Sequence, residues 1–378
     1  MPVYMTLRRR SRKPLRLSLL DARKDSRFNP PAAMTTTANY LGPADAPSAG
    51  PVFRSGASHA PAMPAAQALH NPVMKPRTSC PACLSPSLAQ VYEEPYASEG
   101  IQNYLRTHYE GNASHTADDS LYVLTRCAHC GLAFQKYIPD DSFLGEIYNN
   151  WVPGTNFERE HRNYSLEEYR YLAEQVQFVI QHLGRPPGEL HMLDFGFGWA
   201  HWSKMAMAYG CRVSGVELSQ ERAEHGRSVG IQVVPLDDLP GRAFHFIHTE
   251  QVFEHLAEPR VVLDRLVAAL APGGLIKISV PDAVASLKKI KRGQSFGSLS
   301  AKDKMPIAPL EHINAFDHAS LVAFGKAAGL QPVRPSFFRL YNGASGLLQL
   351  KNLARVLVRP MYRHVFPRNT FVYFERAR

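Results

Sequence analysis

Four of the five cysteines stand in two Cys-x-x-Cys pairs, Cys80/Cys83 and Cys127/Cys130, with the insert 84–126 between them. Two such pairs supply four soft thiolates at the spacing a tetrahedral Zn²⁺ requires. Four thiolates fill every coordination position, so the ion expected here is structural rather than catalytic. Unligated cysteines or a redox pair are the other readings, but a redox motif needs only one pair, and no export signal argues for disulfides. Cys211 is left over and reads as a core thiol.

A second constellation runs Leu193-Asp194-Phe195-Gly196-Phe197-Gly198, with Glu217 nineteen residues after Gly198. Two glycines directly after an apolar run let backbone approach a ligand closely. That ligand would lie at the carboxyl end of a strand, near the next helix N-terminus. For a dinucleotide, the third fingerprint glycine falls on His201, and the Asp194 carboxylate would repel a pyrophosphate. S-adenosylmethionine carries an ammonium, a sulfonium and a ribose, and no phosphate. The order acid, Gly, Gly, acid suits it better, with Glu217 accepting from the ribose hydroxyls.

The elements that must position these residues are legible. Ser165 and Glu168 form a capping box, apolar residues recur from Leu172 to Leu183, and Gly184 closes a helix over 165–183. Strands are predicted at 190–195, 212–217, 231–234, 244–249 and 275–280, with helices through about 209, at 219–228, at 261–270 and at 316–329. Such alternation predicts an α/β fold with a doubly wound, Rossmann-like, mostly parallel sheet. A late strand is expected at 370–376. The expected organisation is a disordered basic Pro-rich tail (1–78), a zinc-binding module (79–150), a linker and amphipathic helix (151–189), and a cofactor-binding domain (190–378) with a lid around 286–316.

The stretch 193–198, Glu217, the run Phe244 to Leu256 containing Glu254-His255-Leu256, then Pro259 and Pro272-Gly273-Gly274, together resemble class I S-adenosylmethionine-dependent methyltransferases. The resemblance covers about 160–330. It implies that Asp194, Gly196 and Gly198 surround the methionine part of the cofactor, that Glu217 holds the ribose, and that Leu236 and Asp237 line the adenine edge. Thr249 and Glu250, at the tip of the fourth strand, join the expected cofactor contacts. Trp199 and Ala200 replace the small Gly/Thr-type residues usual in this loop, which reshapes the methionine pocket. The zinc module followed by this domain is similar to bacterial methyltransferases of sugar, polysaccharide and secondary-metabolite pathways, among them the NDP-hexose C-methyltransferases. Those enzymes carry a further sizeable C-terminal domain, whereas 48 residues follow position 330 here.

Methyl transfer needs alignment and water exclusion, and a neutral acceptor also needs a general base. The sugar C-methyltransferases carry Tyr-x-Glu-His-x-x-Tyr-Phe in the lid. Glu311, His312 and Phe316 match it, and Pro309 and Ala315 replace the tyrosines. His312 and Glu311 are therefore the candidate bases. His255, after the fourth strand, is a third catalytic candidate at the cofactor edge.

Charge narrows the partners. The chain carries 43 Lys and Arg against 33 Asp and Glu, a net +10. Residues 1–78 contribute +9, residues 331–378 contribute +8, and the body between them is −7. An RNA methyltransferase with a zinc knuckle is the alternative function, and it would show basic residues around the knuckles. Residues 79–150 hold three basic and nine acidic residues, which argues against nucleic acid. A non-catalytic, cofactor-binding scaffold is the third reading. The expected acceptor is a small molecule, with Lys288 to Arg292 available for the phosphates of a nucleotide-linked sugar. No apolar run approaches the roughly 20 residues of a membrane helix, and the expected compartment is the cytoplasm.

Overall fold

A computed structural model of the chain describes residues 73–113, 115, 117–151, 164–333 and 350–360. The cysteine-bearing part gives β1 (Met74–Pro76), β2 (Leu88–Pro95), α1 (Glu99–His108), β3 (Leu121–Cys127), β4 (Ala133–Gln135), β5 (Tyr137–Pro139) and α2 (Asp141–Glu146), then one π-helical turn at Ile147–Trp151. β1 pairs antiparallel with β5, so residues 74–76 of the segment expected to be a tail form a strand. A three-residue strand in a Pro-rich stretch leaves no periodicity to read, and Pro76 is tolerated because this two-stranded ladder consists of edges.

The remainder gives α3 (Leu166–Leu183), β6 (His191–Phe195), α4 (His201–Ala208), β7 (Arg212–Val216), α5 (Gln220–Ser228), β8 (Gln232–Val233), β9 (Phe244–Glu250), α6 (Pro259–Ala268), β10 (Leu270–Ser279), α7 (Val284–Lys291), α8 (Ala301–Lys304), β11 (Asn314–Ala315), α9 (His318–Ala327) and α10 (Leu350–Pro360). The capping box forms: Ser165 accepts from the Glu168 amide, Glu168 reaches back to the Ser165 amide, and Gly184 ends α3 at φ 64°. The main sheet has the order β10-β9-β6-β7-β8 with every pair parallel, the doubly wound α/β sheet expected. The expected late strand and the tail before residue 73 lie outside the described residues.

Alternation along the strands sorts the two faces. Met192, Val213 and Phe246 meet α3 and α4 through Leu172, Val176, Val179, Trp202 and Ala206. Leu193, Phe195, Val216 and Ile247 share the other core with Leu263, Leu266 and Phe324, and also with Cys80, Cys127, Leu132 and Phe134. The cysteine module therefore has no separate core on this side. It also shares a sheet with the lid, because β11 extends the module's ladder in the order β11-β4-β3-β2.

Candidate active site

β6 delivers the chain into the glycine turn. Gly196 and Gly198 have φ of 73° and 52°, and Ala200, at the start of α4, also lies in the left-handed region at 64°. Gly196 is constrained twice, since a Cβ there would stand 2.6 Å from Val252 Cγ2. The turn thus packs on the segment that follows β9. The Gly198 amide donates to Glu217 Oε2 at 2.9 Å, and the Ser219 amide donates to Oε1 at 2.9 Å. Glu217 so ties the end of β7 to the turn. Phe197 is seated by two further glycines: a Cβ on Gly215 or Gly226 would come within 2.4 or 2.6 Å of its ring.

Asp194 is 2% exposed. Its Oδ2 accepts from Ser203 Oγ at 2.6 Å, and its Oδ1 lies 2.9 Å from His248 Nδ1. Strand register sets Asp194 opposite His248, and His248 opposite Lys277. Glu250 continues the row: its Oε2 lies 3.2 Å from His248 Nε2 and accepts from Lys277 Nζ at 2.9 Å, while Tyr171 donates to Oε1 at 3.3 Å. Trp202 stacks on His248 at 4.3 Å. Burial alone would raise the Glu250 carboxyl, but His248 and Lys277 outweigh it and hold the group down to about 2.

The acceptor-side candidates cluster around two loops. Gln251, just after β9, and Leu310, just before Glu311, both take left-handed backbone, at φ 56° and 70°. Such strain persists only where surrounding contacts impose it. His255 Nδ1 donates to the Glu311 carbonyl at 3.1 Å, and its ring stands edge-on to His312 at 4.7 Å. His312 is buried, and burial, helped by His255, pushes its imidazole down to about 3. Glu311 Oε2 lies 2.8 Å from Nε2 of His108, at the end of α1. Burial would raise the Glu311 carboxyl, but His108 lowers it overall. His108, with 40% of its side chain exposed, is the most open member of the group. Asn314 Nδ2 donates to the carbonyls of Phe253 and Leu256 at 2.9 and 2.7 Å, and Gln135 Nε2 donates to those of Ala308 and His312 at 2.9 and 3.2 Å.

The sheet order, the glycine turn and its acid coincide with a sequence match: residues 149–334 fit the family model described as methyltransferase domain. Residues 149–334 thus carry a methyltransferase domain. The chain is 25% identical over 185 residues to the C-methyltransferase NovU of Streptomyces niveus, a match covering 44% of this chain and 41% of that protein. It thus spans less than half the length of that relative. Among solved structures, the 1,6-didemethyltoxoflavin-N1-methyltransferase of Burkholderia thailandensis shares 20% identity over 51% of this chain and 76% of that one, with a TM-score of 0.33. The sugar N-methyltransferase KedS8 of Streptoalloteichus shares 20% identity over 33% and 53%, with a TM-score of 0.27.

Beside the methyltransferase domain, the four cysteines converge. Cys80 Sγ and Cys130 Sγ are 3.5 Å apart, Cys83 Sγ and Cys127 Sγ 3.6 Å, and all four sulfurs lie within 4.8 Å of one another. The two knuckles have one geometry. Cys80 N–H donates to Ser85 O and Leu84 N–H to Cys80 O; Cys127 N–H donates to Leu132 O and Gly131 N–H to Cys127 O. Leu84 and Gly131 occupy the matching position at φ 63° and 79°. Sulfurs bound at about 2.3 Å to a tetrahedral Zn²⁺ stand about 3.8 Å apart, so this donor set fits that ion.

The remaining sequence-marked residues of the methyltransferase domain are less central. Leu236 is half-buried in the 3₁₀ turn after β8, and the exposed Asp237 is paired with Arg265. Thr249 is fully buried, on the face of β9 opposite His248 and Glu250. Sequence reasoning missed His108, His248, Lys277, Gln135 and Arg77. His248 was findable, since it lies two residues before Glu250 near a strand end and so shares its face. His108 lies in an insert without motif, and nothing local marks it.

Proposed function

We propose that this chain transfers a methyl group from S-adenosylmethionine to a small acceptor, most specifically a nucleotide-linked or polysaccharide-precursor sugar or a related secondary metabolite. The observation that carries the reading is the Gly196–Gly198 turn at the carboxyl end of the central strand, locked to Glu217 through the Gly198 amide. In this reading Gly196, Gly198 and Glu217 bind the cofactor, and Leu236 and Asp237 border the adenine. Asp194 keeps the turn in register through Ser203 and His248, and Glu250 would offer a carboxylate to the methionine ammonium. The name of the NovU relative supports carbon as the methylated atom.

S-adenosylmethionine held by Gly196, Gly198 and Glu217 would supply the methyl group on its sulfonium, and the protein's part is to align an acceptor nucleophile with it and exclude water. The acceptor's proton goes to the Glu311–His108 pair, while His255 and His312, fastened to the same loop, shape the pocket behind it. At about 3, His312 is a poor proton acceptor by itself. A structural Zn²⁺ at Cys80, Cys83, Cys127 and Cys130 would hold the module that presents His108. The chemistry of that ion is structural, because thiolates fill its coordination sphere.

Calorimetry of the full chain with S-adenosylmethionine is the first test, and Glu217→Ala is expected to weaken binding about tenfold or more. The second is incubation with methyl-labelled cofactor and a small-molecule extract, then identification of the labelled product. No cofactor binding by the wild type would overturn the reading. Label appearing only in RNA would favour the RNA methyltransferase, and binding without any labelled product would favour a scaffold.

A further inference from the structure

Beside His255 and His312 stands a carboxylate that methyl transfer does not use. Glu254 is 1% exposed, and its carboxylate oxygens have no hydrogen-bond partner beyond its own backbone amide. A buried carboxylate without a further donor is strongly disfavoured unless a proton or a cation joins it. The neighbouring imidazoles direct no N–H toward it. The Glu311 carbonyl can only accept, so His255 Nδ1 carries the hydrogen and Nε2 is left as a lone pair. That Nε2 lies 3.9 Å from Glu254 Oε1. His312 repeats the pattern: the Met305 carbonyl is in hydrogen-bond contact with its ring, while Nδ1 is buried without a partner. Each imidazole is fastened on one side by a backbone carbonyl and offers a lone pair on the other. Metal-ligating histidines are held in this way. One ligand atom from each of Glu254, His255 and His312 lies within 4.8 Å of the others.

We propose that Glu254, His255 and His312 bind a divalent transition-metal ion, at a site separate from the four cysteines. Two imidazoles and one carboxylate suit Zn²⁺ and its neighbours better than Mg²⁺ or Ca²⁺. Bonds of about 2.0–2.2 Å place tetrahedral ligand atoms about 3.4 Å apart, so the three side chains draw inward as the ion enters. Three protein ligands leave one position open to water or to an oxygen of a bound molecule. The site adjoins the glycine turn, because the His255 amide donates to the carbonyl of Val252, whose side chain packs on Gly196. An acceptor oxygen taken at the open position would be oriented and made more acidic. That consequence rests on the methyl-transfer reading, whereas the site itself does not.

The test uses the full chain, loaded with Zn²⁺ and dialysed, with metal counted per chain. The wild type is expected to hold two equivalents. Glu254→Gln and, separately, His312→Asn are expected to hold one, with a cooperative thermal transition showing that each variant is folded. A Co²⁺ titration assigns the sites: the thiolate site gives intense sulfur-to-metal charge-transfer absorption, and the second equivalent adds only weak bands, absent in Glu254→Gln. One equivalent in the wild type would overturn the proposal. So would a second equivalent that survives both substitutions. Cofactor calorimetry on the same samples reports separately whether the methyl-transfer reading stands.

Discussion

Arg77 Nη1 donates to Asn314 Oδ1 at 2.8 Å, joining the approach to the first cysteine knuckle to the loop that carries His312. The same guanidinium donates to the carbonyls of Ile313 at 3.2 Å, Leu256 at 3.3 Å and Ala257 at 3.0 Å. Asn314 in turn donates to Phe253 and Leu256. These bonds fix the loop holding His255 against the loop holding His312. Burial lowers the Arg77 guanidinium to about 9, yet four carbonyl-type acceptors still favour its charged form at neutral pH.

Removing either side of this clamp leaves buried groups unsatisfied. Arg77→Ala and Asn314→Ala should each cost about 2–4 kcal/mol of stability. The double substitution should cost clearly less than the sum, because the two changes share one network. Denaturant unfolding of the four proteins checks this, and strict additivity would show that the clamp is not a unit. Cofactor affinity should change little, since neither residue touches the glycine turn.

The legible parts of the fold are those with a local signal. The 165–183 helix announced itself through Ser165, Glu168 and Gly184, and β6, β7 and β9 through short apolar runs that recur at α/β spacing. β1 and β11 were illegible for a physical reason: three and two residues cannot carry a period, and both form only because a distant partner is present. The Gly196–Gly198 turn was readable because glycine at positive φ is a local requirement. The clamp was not, because an arginine three residues before a cysteine looks like a tail residue until residue 314 is folded against it. The 79–150 segment was marked by its two cysteine pairs, whereas the packing of Cys80 and Phe134 into the core of the main sheet has no local signal.

Leu84 is a mismatch that can be tested. It takes φ 63°, is 61% exposed, and stands where the second knuckle has Gly131. A left-handed backbone costs a residue with a Cβ about 1–2 kcal/mol, and glycine's added freedom in the unfolded chain offsets part of the relief. Leu84→Gly should therefore stabilise by about 0.5–1 kcal/mol. Gly131→Leu should destabilise by at least as much. Melting temperatures measured with the metal content held fixed decide it, and a loss of stability in Leu84→Gly would refute the strain.

The Glu250 row predicts an acid-sensitive contribution. Its carboxyl is held to about 2 when folded, against 4.5 for the ordinary group. Between those values the unfolded chain binds a proton that the folded chain does not, so stability rises with pH across the window and is lost as pH falls through about 2. Glu250→Gln should cost about 2–3 kcal/mol at pH 7, a figure set by that shift. The difference from wild type should shrink steadily below pH 4.5. Unfolding curves at pH 7, 4 and 3 give the comparison, and a pH-independent difference would mean that lost packing rather than the His248 and Lys277 contacts sets the cost.

The two glycines of the turn after β6 should respond differently to the same methyl group. Both have positive φ, so alanine strains either by about 1 kcal/mol. At Gly198 the added Cβ meets nothing within 4 Å, whereas at Gly196 it would stand 2.6 Å from Val252 Cγ2. Overlap of that kind typically adds about 1–3 kcal/mol and displaces the neighbour. Gly196→Ala should therefore be the less stable variant, and it should also disturb the segment leading from Val252 to His255. Val252→Ala opens the space the methyl needs, so Gly196→Ala with Val252→Ala should recover most of the difference. Thermal unfolding of the three variants, followed by cofactor calorimetry, tests the contact. Equal losses for Gly196→Ala and Gly198→Ala would show that backbone strain alone governs the turn.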